Sequence, residues 1–165
     1  YAEDKAHNFR CCACHPKYAF VPQSIVLYRE NLQSLTFRPK KDLMQNWILL
    51  ASDFEQFLKE KSLSRKYGDL IFFHLLIGAM YLAKEEMTYK GKKIRVVAKV
   101  LKKYHANPFV KEKLTWKACV HYTAHIQSLF WKALAFTLVF FLQVHAYSIL
   151  AAVLVLMSRL GIDSL

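Results

Sequence analysis

The feature that most constrains this chain is a run of 26 residues without a formal charge, from Ala133 to Ser158 (ALAFTLVFFLQVHAYSILAAVLVLMS). A helix of that length would reach about 39 Å, which exceeds the roughly 30 Å hydrocarbon core of a bilayer. Trp131 and Lys132 precede the run and Arg159 follows it, and such side chains prefer the membrane interface. The run therefore predicts a transmembrane helix over residues 133–158.

The overall composition favours helices for the rest of the chain. Of the 165 residues, 55% are hydrophobic, which is too apolar for a disordered chain, and the length suits one compact unit. Only four glycines and four prolines are present. Because sandwiches, barrels and glycine-rich nucleotide-binding folds need more turn-forming residues, we predict a mainly α protein.

Charge is divided unequally about the predicted span. The chain has 24 Lys and Arg against 12 Asp and Glu, a formal net charge of +12. All of that excess lies before residue 133, since only Arg159 and Asp163 carry charge after residue 158. The positive-inside rule then places the N-terminal region on the matrix or cytoplasmic side of a single-pass protein.

Three regions can be distinguished along the sequence. Residues 1–41 hold three of the four prolines and little periodicity, which predicts an extended N-terminal arm with at most a short helix near 25–35. Residues 42–106 form a membrane-proximal region of amphipathic helices. Residues 107–165 begin with an Asn-Pro pair typical of a helix start and then lack Gly and Pro as far as residue 160, which predicts one long helix that includes the span.

Three helices are expected in the middle region. Apolar residues recur at three- and four-residue spacing over 42–61 and again over 93–105, and a more apolar helix is predicted over 69–86. The uncharged stretch 70–83 is short for a span, so a buried or interfacial helix is favoured over a crossing. Gly78 in this stretch would allow another helix to pack closely.

The helix predicted over 93–105 is strongly basic on its polar side. Beside the predicted span, such a density of positive charge could bind the headgroups of anionic phospholipids. The alternative is a solvated helix face with no ligand. The candidate lipid-binding residues are Lys92, Lys93, Arg95, Lys99, Lys102 and Lys103.

Three of the four cysteines lie close together, at positions 11, 12 and 14, and His15 follows. Cys11, Cys14 and His15 match C-x-x-C-H, the pattern that attaches c-type haem through two thiols and one axial imidazole. A zinc site that adds His7 or His15, a disulfide or redox pair, and unmodified thiols are the alternatives. A zinc site would lack a second pair of ligands nearby, because Cys119 is the only other thiol.

Several polar residues fall in or near the predicted span. Gln143, His145 and Tyr147 would lie at mid-depth, where polar groups are unfavourable in lipid, so they should contact protein partners. His121 and His125 are four residues apart and would share one helix face just before the span. Two imidazoles alone do not complete a metal site, so interfacial polar roles are favoured over metal binding.

The functional expectation follows from these features. Hydrolase, P-loop and DNA-binding motifs are absent from the sequence, so we expect no enzyme, no nucleic-acid partner and no cofactor. We expect a non-catalytic accessory subunit of a multi-subunit membrane complex, in the mitochondrial inner membrane with the N-terminal region on the matrix side. A respiratory-chain complex or ATP synthase is the expected assembly, with other subunits and anionic phospholipids as partners. The alternatives are a membrane-anchored c-type haem electron-transfer protein and a peripheral lipid-binding adaptor.

Overall fold

The computed structural model describes residues 3–14 and 42–161, and these residues form helices joined by short turns, without strands. The prediction of a mainly α protein is therefore confirmed. The helices are α1 (Glu3–Cys14), α2 (Leu43–Glu60), α3 (Ser64–Lys90), α4 (Ile94–His105), α5 (Pro108–Lys113), α6 (Trp116–Thr123), α7 (Leu129–Gln143) and α8 (Tyr147–Arg159).

Helix α3 lies at the centre of the packing, because α2, α4, α5, α6, α7 and α8 all contact it. Its stretch 70–83 contributes seven buried apolar side chains to the core, so most of this stretch is buried, as expected. They are Ile71, Phe72, Leu75, Leu76, Leu82 and the smaller Ala79 and Ala83. Helix α4 covers the same core with Val97 and Leu101, and the predicted bounds of α2 and α4 agree with the structure within two residues.

Side chains of α2 and α4 approach the backbone of α3 closely at Gly78. A Cβ atom there would clash with Nε1 of Trp47 and lie 2.8 Å from the hydroxyl of Tyr104. Both side chains also donate hydrogen bonds to carbonyls of α3, Trp47 to His74 (2.8 Å) and Tyr104 to Leu75 (2.8 Å). Gly78 therefore lets α2 and α4 place polar aromatic groups directly on the backbone of α3, as the sequence suggested.

The predicted long helix after residue 107 is not formed. Its start is as expected, since the side chain of Asn107 accepts a hydrogen bond from the backbone N–H of Phe109 (3.0 Å) and Pro108 occupies the first turn. The chain then breaks at three places and gives α5, α6, α7 and α8. At the first two breaks a hydroxyl caps the next helix: Thr115 accepts from Ala118 N–H (3.2 Å) and Ser128 from Trp131 N–H (3.5 Å).

The third break divides the predicted span, at residues 144–146. Here His145 has φ of +58°, and the N–H groups of His145 and Ala146 bond to the carbonyls of Leu142 (3.1 Å) and Phe141 (2.9 Å). This pair of hydrogen bonds is the Schellman ending of a helix, in which a left-handed residue stops the helical hydrogen bonding. The uncharged run therefore folds as α7, a turn and α8.

The prediction of one transmembrane helix over 133–158 is corrected accordingly. Helix α7 has 15 residues and α8 has 13, which corresponds to about 22 Å and 20 Å against a hydrocarbon core of roughly 30 Å. Among the helices described between residues 3 and 161, none is both long enough and apolar enough to cross a membrane.

The N-terminal arm is also partly different from the expectation. Residues Glu3–Cys14 form helix α1 instead of an extended segment. Phe9 stacks on Phe54 with ring centroids 3.9 Å apart, and Arg10 pairs with Asp53 at 2.8 Å, so α1 lies against α2. The short helix predicted near 25–35 lies outside the described residues.

Candidate functional site

The most unusual surface of the described chain is an apolar one on α6, α7 and α8, which we call the outer apolar face. Ten of its large apolar side chains are exposed, whereas the other described helices together expose five. Leu129 is the most exposed, at 79%. The outer apolar face consists of Trp116, Val120, Leu129, Phe130, Trp131, Phe140, Val144, Ile149, Leu156 and Leu160.

On α8 the apolar residues lie on two opposite sides of one helix. Ile149, Leu156 and Leu160 are spaced by seven and four residues, so they share one side, and all three are exposed. Leu150 and Leu154 lie on the other side and are buried against the rest of the fold. The helix is thus apolar all round although only one side is covered, which is not the pattern of an ordinary surface helix.

Helix α7 also has apolar residues on both its buried and its exposed side, and α6 extends the exposed apolar surface of α7. Leu129, Phe140 and Val144 project from the side of α7 opposite to the buried Leu138. The exposed indole of Trp116 on α6 packs edge-on against Phe140, with centroids 6.4 Å apart. The outer apolar face is therefore continuous from α6 to α7.

The segment that carries the outer apolar face has charge of one sign. No acidic residue occurs between Glu112 and Asp163. Lys132, near the start of α7, and Arg159, in the last turn of α8, lie close to the ends of the two most apolar helices. Long basic side chains at helix ends can extend toward phosphate groups while their stems cover apolar surface.

The polar residues predicted at mid-span lie at the turn between α7 and α8, and two of them find partners inside the chain. Gln143 donates a hydrogen bond to the carbonyl of Leu114 (2.6 Å), which ties the end of α7 to the end of α5. The hydroxyl of Tyr147 lies 3.1 Å from Nδ1 of His105. His145 is exposed, and its ring packs 5.7 Å from that of His105. These contacts lie within the chain, and contact of the three residues with a partner stays a prediction.

His105 is the unexpected member of this group. It is 2% exposed, and its Nε2 atom is buried without a hydrogen-bond partner in the described part of the structure. Burial lowers the pKa of His105, and positive charge at His145 and Lys111 lowers it further. His105 is therefore held neutral beside Tyr147. Its position at the end of α4 gave no signal in the sequence, because its partners are 40 residues away.

The predicted lipid-binding residues form an exposed side of α4 and the turn before it. Lys92 donates a hydrogen bond to the carbonyl of Ser158 (2.9 Å), so it binds the end of α8. Arg95, Lys99 and Lys103 line a groove of about 660 Å³ that also contains Glu85 and Glu86, which reduce the positive charge there. Lys93 and Lys102 are exposed. The apolar side of α4 is buried in the core, and lipid binding by its basic residues stays a prediction.

The candidate haem residues are brought together only in part. Cys11 and Cys14 lie one turn apart on α1, and both are exposed and form no disulfide with another described cysteine. The Cys11 sulfur lies 3.4 Å from Nε2 of His7. His15 lies outside the described residues.

Metal binding by the remaining thiol and imidazoles finds no support. Cys119 is buried on α6, where burial raises its pKa to about 11, so it is a structural thiol that does not approach Cys11. His121 and His125 line one cleft with Asp69. In the described residues, however, no three His, Cys, Asp or Glu side chains are arranged to hold a metal ion.

Comparison with known proteins adds no family. No protein-family model matches the chain, and neither a curated protein nor a solved structure matches it.

Proposed function

We propose that this chain is a non-catalytic accessory subunit of a membrane-bound complex, in which the outer apolar face contacts lipid and neighbouring subunits. The observation that carries the proposal is the concentration of exposed large apolar side chains on α6, α7 and α8. Such a concentration of exposed apolar side chains on neighbouring helices is unusual for a monomeric soluble protein, since contact with water is unfavourable. A bilayer surface would cover it and also attract the basic side chains around it.

The mode of binding that suits these helices is interfacial. Since α7 and α8 are each shorter than the hydrocarbon core, we propose that they lie along one leaflet with the outer apolar face toward the acyl chains. The exposed basic residues of α4, which packs against α8, would add attraction to anionic phospholipids. That attraction is about 1 kcal/mol for each basic residue near the surface.

The assembly and its location rest on the sequence. The small size and basic charge are typical of accessory subunits in respiratory-chain complexes and ATP synthase. We therefore propose the mitochondrial inner membrane, with the basic region 42–106 on the matrix side and other subunits of the complex as partners.

The lipid part of the proposal is tested by vesicle flotation. Leu129→Ser combined with Phe140→Ser places two hydroxyls on the outer apolar face, and we expect it to abolish flotation with anionic vesicles. Leu49→Ser is the matched control, because Leu49 is 57% exposed on α2, away from this face. Circular dichroism checks that both variants fold.

Two results would contradict the proposal. If the double variant and Leu49→Ser floated equally, the outer apolar face would not be the surface that binds the membrane. Migration of the native chain as a free monomer, after extraction of its membranes in mild detergent, would remove the subunit role.

The two exposed thiols on α1 keep a second candidate function open. Cys11 and Cys14 are accessible on one helix, as attachment of c-type haem would require. A haem stain after denaturing electrophoresis of the native protein tests this alternative. A covalently bound chromophore would favour an electron-transfer role, and its absence would leave the accessory-subunit proposal alone.

A further inference from the structure

A cleft of about 330 Å³ lies between the start of α3 and the end of α6. Its volume is at the lower end of the range of small-ligand pockets. Arg65 and Lys66 come from the first turn of α3, and His121 and His125 come from α6 and the loop that follows it. The lining also includes Asp69, Phe73, Tyr122 and Ile126.

The chemistry of this cleft suits an anion. Arg65 offers a planar fork of N–H donors that matches two oxygens of a phosphate, and Lys66 adds a second permanent positive charge. His121 and His125 supply ring nitrogens that can donate hydrogen bonds or carry charge. Asp69 is the one carboxylate in the lining, so the positive groups outnumber it.

A cation is a poorer occupant. Asp69, His121 and His125 are the three side chains in the cleft that could ligate a metal. They are not close enough together to hold a metal ion, as is true of every such group in the described residues. The two permanent cations beside them would also repel a metal ion. A phosphate therefore fits the cleft better than a metal does.

The walls of the cleft are held in place by Tyr122. Its ring packs 5.6 Å from that of Phe72 in the core. Its hydroxyl lies over Gly68, where an added Cβ would approach it to 3.3 Å. This contact fixes α6 on the first turns of α3, so Arg65 and His121 belong to elements that pack directly together.

The cleft also adjoins the outer apolar face. His125 and Ile126 precede Leu129 and Phe130 by only a few residues, and Val120 is the neighbour of His121 on α6. A phosphate in the cleft would therefore lie beside the end of the apolar face where α7 begins. A phospholipid has this same arrangement, because its phosphate lies next to its acyl chains.

We propose that the α3–α6 cleft binds the phosphate monoester headgroup of an anionic lipid such as phosphatidic acid. This inference rests on the proposed membrane association, which would bring the headgroup to the cleft. A phosphate monoester carries up to two negative charges and three acceptor oxygens, which matches the several donors of the cleft better than a phosphodiester does.

The experiment has a soluble arm and a membrane arm. In the soluble arm, inorganic phosphate is titrated into the full-length chain, and the imidazole resonances of His121 and His125 are followed by NMR. In the membrane arm, flotation is compared between vesicles that contain phosphatidic acid and vesicles of equal charge that contain phosphatidylglycerol. Arg65→Gln is the test variant in both arms, and Lys111→Gln, an exposed charge on α5, is the control.

We expect phosphate to shift both imidazole resonances and phosphatidic acid to be preferred over phosphatidylglycerol. Arg65→Gln should weaken phosphate binding about tenfold and remove the lipid preference, while Lys111→Gln leaves both unchanged. Arg65→Lys, which keeps the charge but loses the planar fork, should fall between them. Phosphate binding without a preference for phosphatidic acid would mean that the cleft takes free phosphate, and would overturn the lipid assignment.

Equal phosphate binding by Arg65→Gln and the native chain would overturn the cleft as a phosphate site. A failure of the proposed membrane association can be distinguished from a failure of the cleft proposal. Without membrane association, the chain would not float with either kind of vesicle, but inorganic phosphate would still shift the imidazole resonances. If phosphate did not bind while the chain still floated equally with both kinds of vesicle, only the proposal that the cleft binds phosphate would be refuted.

Discussion

Trp47 and His74 join α2 to α3 through two side-chain contacts to each other's backbone. The indole N–H of Trp47 donates to the carbonyl of His74 (2.8 Å), and Nε2 of His74 lies 3.2 Å from the carbonyl of Trp47. The two rings are stacked with centroids 4.6 Å apart. This arrangement holds the helices at a fixed register and requires the small residue Gly78 beneath the indole.

Gly78→Ala is therefore expected to destabilise the protein. Alanine is better than glycine in a helix by about 1 kcal/mol. Its Cβ, however, would displace both Trp47 and Tyr104, and overpacking of this kind costs typically 1–3 kcal/mol, with the larger values for the closest contacts. We expect a net loss of about 1–2 kcal/mol in the free energy of unfolding, measured by urea denaturation.

The neighbouring exposed residue supplies the control for this experiment. Ile77→Ala changes α3 on its outer side, where the side chain is 49% exposed, and should alter stability much less. A Gly78→Ala variant more stable than the native chain would show that the indole does not lie on the α3 backbone.

A second prediction concerns His145, which ends α7 in the left-handed conformation. A residue with a Cβ is disfavoured there by about 1–2 kcal/mol relative to glycine. We therefore expect His145→Gly to be more stable than His145→Ala by about 1 kcal/mol, because both variants lose the same imidazole. Unfolding in urea, or in detergent if the chain requires it, gives the difference.

The sign of this difference separates the turn from a continuous helix. In an uninterrupted helix over 133–158, alanine at position 145 would be the more stable variant by about 1 kcal/mol. Equal stabilities would contradict the left-handed turn, and a more stable His145→Ala would restore the single helix that the sequence predicts.

His105 gives a third prediction, on the pH dependence of stability. Because the folded state lowers the pKa of His105, the unfolded chain binds a proton more readily. The stabilisation is complete above the unfolded pKa of about 6.5 and is lost as the pH falls below it. We expect the melting temperature to drop from about pH 7 to about pH 5, and to drop less in His105→Phe.

His121→Gln is the control for the titration, since His121 is exposed. The native chain and His121→Gln should lose stability in parallel over this pH range. A His105→Phe variant that loses as much stability as the native chain would assign the acid sensitivity to other groups.

The contact of α1 with α2 yields a fourth prediction. Phe9→Ala removes a ring stacked at 3.9 Å on Phe54 and should increase hydrogen exchange along α1. Arg10→Ala removes an ion pair in which Nη2 of Arg10 donates to both carboxylate oxygens of Asp53. Both side chains are about half exposed, and such pairs contribute about 0.2–1 kcal/mol. We expect the smaller effect from Arg10→Ala; a larger effect would mean that charge, not ring packing, holds α1.

The middle of the fold was predictable from periodicity. In α4, Val97, Leu101 and Tyr104 recur at helical spacing among basic residues, and all three are buried. Gly78 was predictable as a close approach, because a lone glycine in an apolar helix usually has a packing role. The buried side of α4 and the packing role of Gly78 were predictable because each depends only on residues within a single helix.

The breaks after residue 107 were missed for identifiable reasons. A rule that looks for Gly and Pro passes over Thr115 and Ser128, although both are common N-cap residues and each caps a helix here. His145 could not be recognised at all, because a left-handed histidine is uncommon and nothing beside it signals a turn. The uncharged run was long enough to cross a membrane only if these stops were absent.

The candidate surfaces depend on contacts between distant segments, and these leave little trace in one sequence. His105 meets Tyr147 across 42 residues, and Arg65 shares a cleft with His121 across 56. Neither pair could be found from spacing. The exposed apolar side of α8 was equally hidden, since the apolar residues that are buried and those that are exposed look alike in the sequence.

The reactivity of the Cys119 thiol can report movement of α6 away from the core. This thiol is fully enclosed and protonated at neutral pH, while Cys11 and Cys14 are open to solvent. Among the thiols that the structure describes, an alkylating reagent should therefore modify Cys11 and Cys14 rapidly, and Cys119 only when α6 moves away from the core. The rate of Cys119 alkylation would measure how often α6 separates from the core beside the cleft. No engineered cysteine is needed for this measurement.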